Sequence, residues 1–274
     1  MVSFTKLFTT GLLATSALAA PVEQLQKRGS NKRGAAYNDA NLVSSLADRQ
    51  AVSWAYNWNM LAAGSLPQGV EFVPMLWGLK DIGGWADAIK TALTGSGLLG
   101  DGSSGNKYIM GFNEPDMASQ AAMSPSDAAS YYMQYITPYA GSAKLISPAV
   151  TSSTDPNMGL QWFNSFMDSC GNCKISGLAV HWYGNTPDEF KSFVNQAIQT
   201  ASAHGLQEVW ITEFALQADA QGQGSPDVTA QFLNDVLPWL DSQQAVSRYA
   251  YFMCAENHMF SGGGLNKAGD AYAA

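Results

Sequence analysis

The chain has 274 residues, with 14 Lys and Arg against 22 Asp and Glu, and a formal charge of −8. That balance repels phosphate, which argues against nucleic acid or an anionic membrane as partner and leaves neutral or cationic molecules. The three histidines, His181, His204 and His258, are scattered and make no four-ligand zinc spacing with the three cysteines, so no metal or organic cofactor is expected.

The first elements in chain order read as targeting signals. Lys6 precedes a stretch of apolar and small residues over 7–19, and Ala17-Leu18-Ala19 has the small-x-small pattern of a cleavage site. The stretch is too short, and holds too much Thr and Ser, to serve as a membrane span. Dibasic pairs follow at Lys27-Arg28 and Lys32-Arg33, suggesting a removable pro-segment over 20–33 and a mature, secreted domain over 34–274. Cleavage before Gly34 would remove five of the 14 Lys and Arg but one of the 22 Asp and Glu, leaving the domain more acidic still.

Eight apolar runs come next, at 34–38, 51–58, 70–78, 107–115, 144–150, 175–184, 208–216 and 247–257. Their near-continuous apolar character is that of strands covered on both faces. Between them, helices open at Ser124-Pro125, Thr186-Pro187 and Ser225-Pro226, each a polar cap followed by proline at the first helical position. Pro238 should kink the last of these. No helix is expected between the second and third strands, where only the loop "NMLAAGSLPQG" intervenes. Eight strands alternating with helices over roughly 240 residues predict an α/β fold, a single (β/α)8 TIM barrel with an abbreviated second βα unit. An open doubly wound sheet would carry a glycine-rich phosphate turn after its first strand, and "GAAYND" has none. No linker interrupts the domain, and a monomer is expected.

Barrel chemistry sits at the C-terminal ends of the strands, and polar residues end the apolar runs there. The fourth run stops at Asn113-Glu114-Pro115, the sixth at His181-Trp182-Tyr183, the seventh at Thr212-Glu213-Phe214 and the eighth at Glu256-Asn257-His258. Glu114 and Glu213, on strands four and seven, would face each other across the barrel mouth. Such a pair can cleave a glycosidic bond, one carboxyl protonating the leaving oxygen while the other attacks or activates water. It could also hold a cation or pair with arginine, but Arg49 and Arg248, the only ones after the pro-segment, lie at the opposite end of their strands. Trp54, Tyr56, Trp58 and Trp77 cluster on or after strands two and three, where their flat faces suit either sugar rings or the core. Strict alternation from Glu114 puts Phe112 and Met110 inward, and the same argument turns Trp182 outward.

Five ordered motifs, "MGFNEPD", "LISPAV", "LAVHWYG", "VWITEFAL" and "RYAYFMCAEN", resemble the fungal glycoside hydrolase family 128, secreted β-1,3-glucanases whose catalytic glutamates stand on barrel strands four and seven. The resemblance runs from about residue 34 to the C-terminus. It implies that Glu114 is the general acid/base, Glu213 the nucleophile of a retaining double displacement, and Asn113 the partner of the sugar 2-hydroxyl. A β-1,3-glucan polysaccharide or oligosaccharide is then the expected partner. His181 and Tyr183 are the candidates to hydrogen-bond Glu213, and Asn57, Trp58, Trp77 and Glu256 complete the expected substrate contacts. One departure is visible: the family's clan often closes the site with an aromatic at the end of strand eight, where this chain reads Cys254-Ala255-Glu256. A catalytically silent glucan-binding barrel, or another glycosidase or transglycosylase of the clan, would share most of these features. Cys170 and Cys173 of "CGNC" suit a short disulfide or a redox half-site, and Cys254 a buried thiol.

Overall fold

A computed structural model of the chain describes residues 31–94 and 107–274. The expected signal peptide and most of the expected pro-segment lie outside the described residues. Eight parallel strands form one sheet: β1 (Arg33–Tyr37), β2 (Trp54–Tyr56), β3 (Glu71–Phe72), β4 (Tyr108–Met110), β5 (Lys144–Val150), β6 (Ile175–Gly184), β7 (Glu208–Leu216) and β8 (Val246–Cys254). Their order is β3-β2-β1-β8-β7-β6-β5-β4, so first and last strands pair and the sheet curls. Its free edges then meet: Met110 N–H donates to Pro74 O at 2.9 Å, Leu76 N–H to Met110 O at 3.2 Å and Asn113 N–H to Trp77 O at 2.9 Å. The second and third runs make only short ladders, because Pro74 interrupts the third.

The helices between the strands are α1 (Ala40–Ala47), α2 (Ile82–Thr94), α3 (Pro125–Tyr135), α4 (Gly159–Ser169), α5 (Pro187–Ala203), α6 (Gln217–Ala220) and α7 (Pro226–Ser242). None separates β2 from β3, as the loop there predicts. Ser124 accepts the Asp127 N–H, and Thr186 forms a capping box with Glu189. Ser225 makes no side-chain cap bond, and α7 runs through Pro238 to Ser242. A small hairpin, β9 (Phe260–Ser261) with β10 (Gly264–Leu265), and α8 (Lys267–Tyr272) close the chain.

Two apolar layers result. Ala36, Trp54, Tyr56, Met75, Met110 and Trp210 fill the barrel, while a larger set packs the sheet against the helices. At the N-terminal end the interior closes on charge: the Arg248 guanidinium lies 4.4 Å from the Tyr108 ring and 4.8 Å from Trp210, and bonds Glu71 at 2.5 Å. The opposite end is left for the site. Trp182 faces the helices against Phe190 and Phe232. Phe112 does the same, edge-on to Tyr132 of α3, and does not point into the barrel as simple alternation predicts. The reason is an extra residue at Ser147-Pro148 of β5, where three steps, Ile146 to Ala149, match two on β6, Gly177 to Ala179. Because β4 keeps its register with β5, its alternation slips too. Cys170 and Cys173 form a disulfide between α4 and β6, and Cys254 is a free, buried thiol.

Ordered contacts begin before the domain boundary expected at Gly34. Arg33 is the first residue of β1 and is buried, donating to Tyr249 Oη at 3.0 Å, Tyr272 O at 2.9 Å, Ala274 O at 2.7 Å and Asp241 at 3.2 Å. Lys32 donates to Asp241 O and Gln243 O. Lys32-Arg33 therefore belongs to the barrel. Removing one member of a buried ion pair costs on the order of 3 kcal/mol, so a chain starting at Gly34 should melt well below one starting at Gly29. Equal melting temperatures of the two would show that these contacts contribute little.

Candidate active site

The end of β4 sets the first carboxylate. A Cβ on Gly111 would stand 2.8 Å from Pro148 N and 2.9 Å from the Tyr132 ring, so only glycine lets β4 approach β5 this closely. Beyond it the backbone is pinned on both sides, Asn113 N–H to Trp77 O at 2.9 Å and Glu114 N–H to Ala149 O at 2.8 Å. Glu114 sits at φ +43°, a conformation that costs a non-glycine residue about 1 kcal/mol or more. Asp116, which the sequence reading did not single out, supports this turn. Its carboxylate accepts Thr151 Oγ1–H at 2.5 Å and Gly159 N–H at 2.8 Å, tying the loop after β4 to the loop after β5.

The second carboxylate depends on a bulge in β7. Val180 pairs with Ile211 and His181 with Glu213, while on the other side Ile211 pairs with Tyr249 and Phe214 with Tyr251. β7 thus carries one residue more than either neighbour, and Thr212 is the one without a partner in the β6 ladder. Trp210 faces the barrel interior and Ile211 the helices; the bulge then lets both Thr212 and Glu213 point inward before Phe214 returns to the helix side. The Tyr56 hydroxyl donates to Thr212 O at 2.8 Å and holds the bulge from inside the barrel.

Glu213 is 5 % exposed and both its oxygens are occupied. Trp58 Nε1–H donates to Oε1 at 2.7 Å, and the Tyr183 hydroxyl donates to Oε2. Burial, then the charge of Glu213, push the Tyr183 phenol far up, so it remains a donor. His181 lies beneath the cleft, fully buried, with Nδ1 2.8 Å from Glu114 Oε1 and 3.4 Å from Glu213 Oε2, and Nε2 3.0 Å from Thr212 Oγ1. Burial draws the imidazole pKa down, but the charge of Glu213 and the hydrogen bond and charge of Glu114 outweigh it, and the net direction is up.

These groups form the floor of a cleft of about 470 Å³ whose walls are Asn38, Trp58, Trp77, Met117, Gln120, Tyr183, Phe252 and Met253, with Asn113 beside Glu114. Asn113 is 4 % exposed; its Nδ2 reaches Gln120 at a long 3.4 Å and its Oδ1 has no partner among the described residues. Of the residues expected from the sequence, Asn113, Glu114, Glu213, Trp58, Trp77 and Tyr183 line this cleft and His181 underlies it. Two do not. Asn57 turns its amide to Leu61 O at 2.9 Å and shapes its own loop. Glu256 is exposed and accepts the Gly262 and Gly263 N–H groups at 3.0 and 2.6 Å, fastening the β9–β10 hairpin. Trp54 and Tyr56 belong to the barrel interior. The aromatic wall sought at the end of β8 is supplied two residues earlier by Phe252, whose ring stands 5.8 Å from Trp58 and 5.6 Å from Tyr183. Asn38, just past the end of β1, had a legible signal in its position; Met117, Gln120 and Met253 had none.

Among the described residues, Glu114, His181 and Glu213 form the one grouping whose ligating atoms lie within 4.8 Å of one another. The lone pairs a cation needs are largely engaged: both oxygens of Glu213, Oε1 of Glu114 and both ring nitrogens of His181 have hydrogen-bond partners. The arrangement suits proton transfer between two carboxyls better than metal binding.

Comparison with known proteins gives a concordant result. A family model described as the glycosyl hydrolase catalytic core matches residues 34–272. A curdlan-specific exo-β-1,3-glucanase of family GH128, subgroup III, from Blastomyces gilchristii, solved with glucose, is 42 % identical with a TM-score of 0.79, covering 90 % of this chain and 99 % of that one. A GH128 subgroup I endo-β-1,3-glucanase from Amycolatopsis mediterranei, solved with laminaritriose, is 26 % identical with a TM-score of 0.71, covering 89 % and 98 %. Alkali-sensitive linkage protein 1 of Schizosaccharomyces pombe is 31 % identical over 263 residues, 89 % of this chain, and the match spans 44 % of that longer protein.

The rise in the His181 pKa fixes a pH dependence of stability. A proton held more tightly in the folded state than at the ordinary value of 6.5 stabilises fully below that value, and the stabilisation fades as pH rises through the raised one. Melting temperatures of the wild type and His181→Gln, compared from about pH 5 to about pH 9, should therefore converge as pH rises. A gap that widens with pH would contradict the assignment.

Proposed function

The chain belongs to the glycosyl hydrolase catalytic core family and, within it, to family GH128, and from that premise we propose that it hydrolyses β-1,3-glucan with retention of anomeric configuration. The observation that carries the reading is the buried pair Glu114 and Glu213, with oxygens within 4.8 Å of each other at the floor of an aromatic-walled cleft. Retaining enzymes hold their carboxyls roughly 5 to 5.5 Å apart, whereas inversion needs roughly 6.5 to 9.5 Å to admit a water. The short separation supports retention.

The steps follow from the hydrogen bonds. Trp58 and Tyr183 both donate to Glu213, so they stabilise its ionised form and aim it as the nucleophile. Glu213 attacks the anomeric carbon while Glu114 gives its proton to the departing glycosidic oxygen. The negative charge of Glu213 is lost in the glycosyl-enzyme, and Glu114, now ionised, takes a proton from the water that releases the sugar. Asn113 Oδ1, a buried acceptor facing the cleft, is placed for a sugar hydroxyl. Trp58, Trp77 and Phe252 offer apolar faces to the ring.

Chain-end action is part of the proposal, supported by 42 % identity to the exo-acting relative against 26 % to the endo-acting one. Secretion is part of it too, on the N-terminal signal-like segment alone. Proton NMR of curdlan or laminarin digests should show the β-anomer of the product first, with glucose as the early product. An initial α-anomer would overturn retention, and a ladder of oligosaccharides would overturn chain-end action. Glu114→Gln and Glu213→Gln should each lower turnover by about 10² to 10⁴. Binding without any cleavage would favour a silent glucan-binding barrel.

A further inference from the structure

Thr212 has no assigned part in the chemistry above, yet its hydroxyl is fully buried and its one partner is His181 Nε2, at 3.0 Å. A hydroxyl needs an acceptor for its own hydrogen, and among the described residues Nε2 is the one within hydrogen-bond distance. The other nitrogen, Nδ1, faces Glu114 Oε1 at 2.8 Å. Two proton arrangements are then open to a neutral His181 beside a protonated Glu114. In one, Nδ1–H donates to Oε1, Thr212 Oγ1–H donates to Nε2, and the acid proton must sit on Glu114 Oε2. In the other, Nε2–H donates to Thr212, whose own hydrogen is left without an acceptor, and the acid proton sits on Oε1, aimed at Nδ1 and away from the substrate.

We propose that Thr212 is a positioning residue: by donating to His181 Nε2 it fixes the Nδ1–H tautomer and so places the acid proton on the free oxygen of Glu114, the one available to the glycosidic oxygen. Only the first arrangement satisfies every buried group, because burying an unpaired hydroxyl hydrogen is costly. Glu213 adds to the preference, since Nδ1–H also faces its Oε2 at 3.4 Å, where a bare nitrogen lone pair would be repelled. The bulge is what makes this possible, as it brings Thr212 and Glu213 to the same face in consecutive positions. During the acid step the O–H bond of Oε2 breaks, its proton passes to the leaving oxygen, and the Nδ1–H···Oε1 bond stays in place to steady the carboxylate that forms.

The proposal rests on the hydrolase reading, and two measurements separate them. Nitrogen-15 NMR of histidine-labelled wild-type protein, titrated upward in pH until the His181 ring carries a single proton, should show that proton on Nδ1 and not on Nε2. A single proton carried on Nε2 overturns the proposal whatever the enzyme cleaves. Kinetically, Thr212→Val should lower kcat/KM on laminarin about tenfold, the loss expected for one buried hydrogen bond. It should leave within about twofold the kcat/KM on a dinitrophenyl β-laminarioside, which reports the first step alone and whose leaving group needs no proton. Thr212→Ser, which keeps the hydroxyl, should restore laminarin cleavage. Equal losses on both substrates, or no loss on either, sink the positioning role. A wild type that cleaves neither substrate sinks the hydrolase reading and leaves the NMR result to decide the tautomer.

Discussion

One surplus residue in β7 governs the site. A parallel strand with regular alternation would place Glu213 on the helix side with Ile211, since both stand at odd positions. The bulge at Thr212 reverses that and turns the carboxylate into the barrel mouth. β4 and β5 show a related device: they shift together against β6 at Ser147-Pro148, which turns Phe112 to the helix side while Met110 and Glu114 both face inward. Glu213 is therefore delivered by a departure from strand regularity, while Glu114, which shares its parity with the inward-facing Met110, takes its final direction at a positive φ of +43°.

The electrostatic consequence is a concentration of negative charge with no arginine or lysine in contact among the described residues. Two carboxylates share one imidazole, and the remaining donors to Glu213 are neutral, an indole and a phenol. Neutral donors stabilise an anion without cancelling its charge, which leaves Glu213 able to attack. The cations of the barrel interior are kept at the other end, where Arg248 lies among Tyr108, Trp54 and Trp210. Backbone strain follows the same division. Glu114 and Trp58, a carboxyl at the cleft floor and a donor to the other carboxyl, both sit at positive φ, +43° and +56°. Such residues persist only where their surroundings over-determine them: Glu114 is held by Ala149 O and His181, and Trp58 by its bond to Glu213 and its packing against Tyr56 and Phe252.

Much of this was legible in the sequence, for identifiable reasons. The eight apolar runs and the Pro-initiated helices gave the barrel, because strands buried on both faces and capped helices have local signatures. The strand-end carboxylates were legible because polarity stops an apolar run abruptly at 113–114 and 212–213. What escaped was register. Regular alternation from Glu114 points Phe112 inward, whereas it packs on Tyr132. Nothing in "LISPAV" or "VWITEFAL" announces an inserted residue, since a bulge is defined only against the neighbouring strands. Glu256 and Asn57 were drawn to the cleft by position alone, while backbone N–H groups and a carbonyl nearby claimed their side chains. Phe252 stands inside β8 and not at its end, a position that no local signal in the sequence marks.

Arg33 has a bearing on how the molecule comes into being. Its guanidinium reaches Tyr272 O, 239 positions along the chain, and Ala274 O, 241 positions along, besides Tyr249 of β8. Contacts between such distant positions carry a large loop-closure entropy and form late. The first strand must wait, exposed along one edge, until the last has been made and can pair with it. The seam between β1 and β8 that closes the sheet is therefore the ladder that joins the two ends of the domain, and it is available only once the last strand has been made.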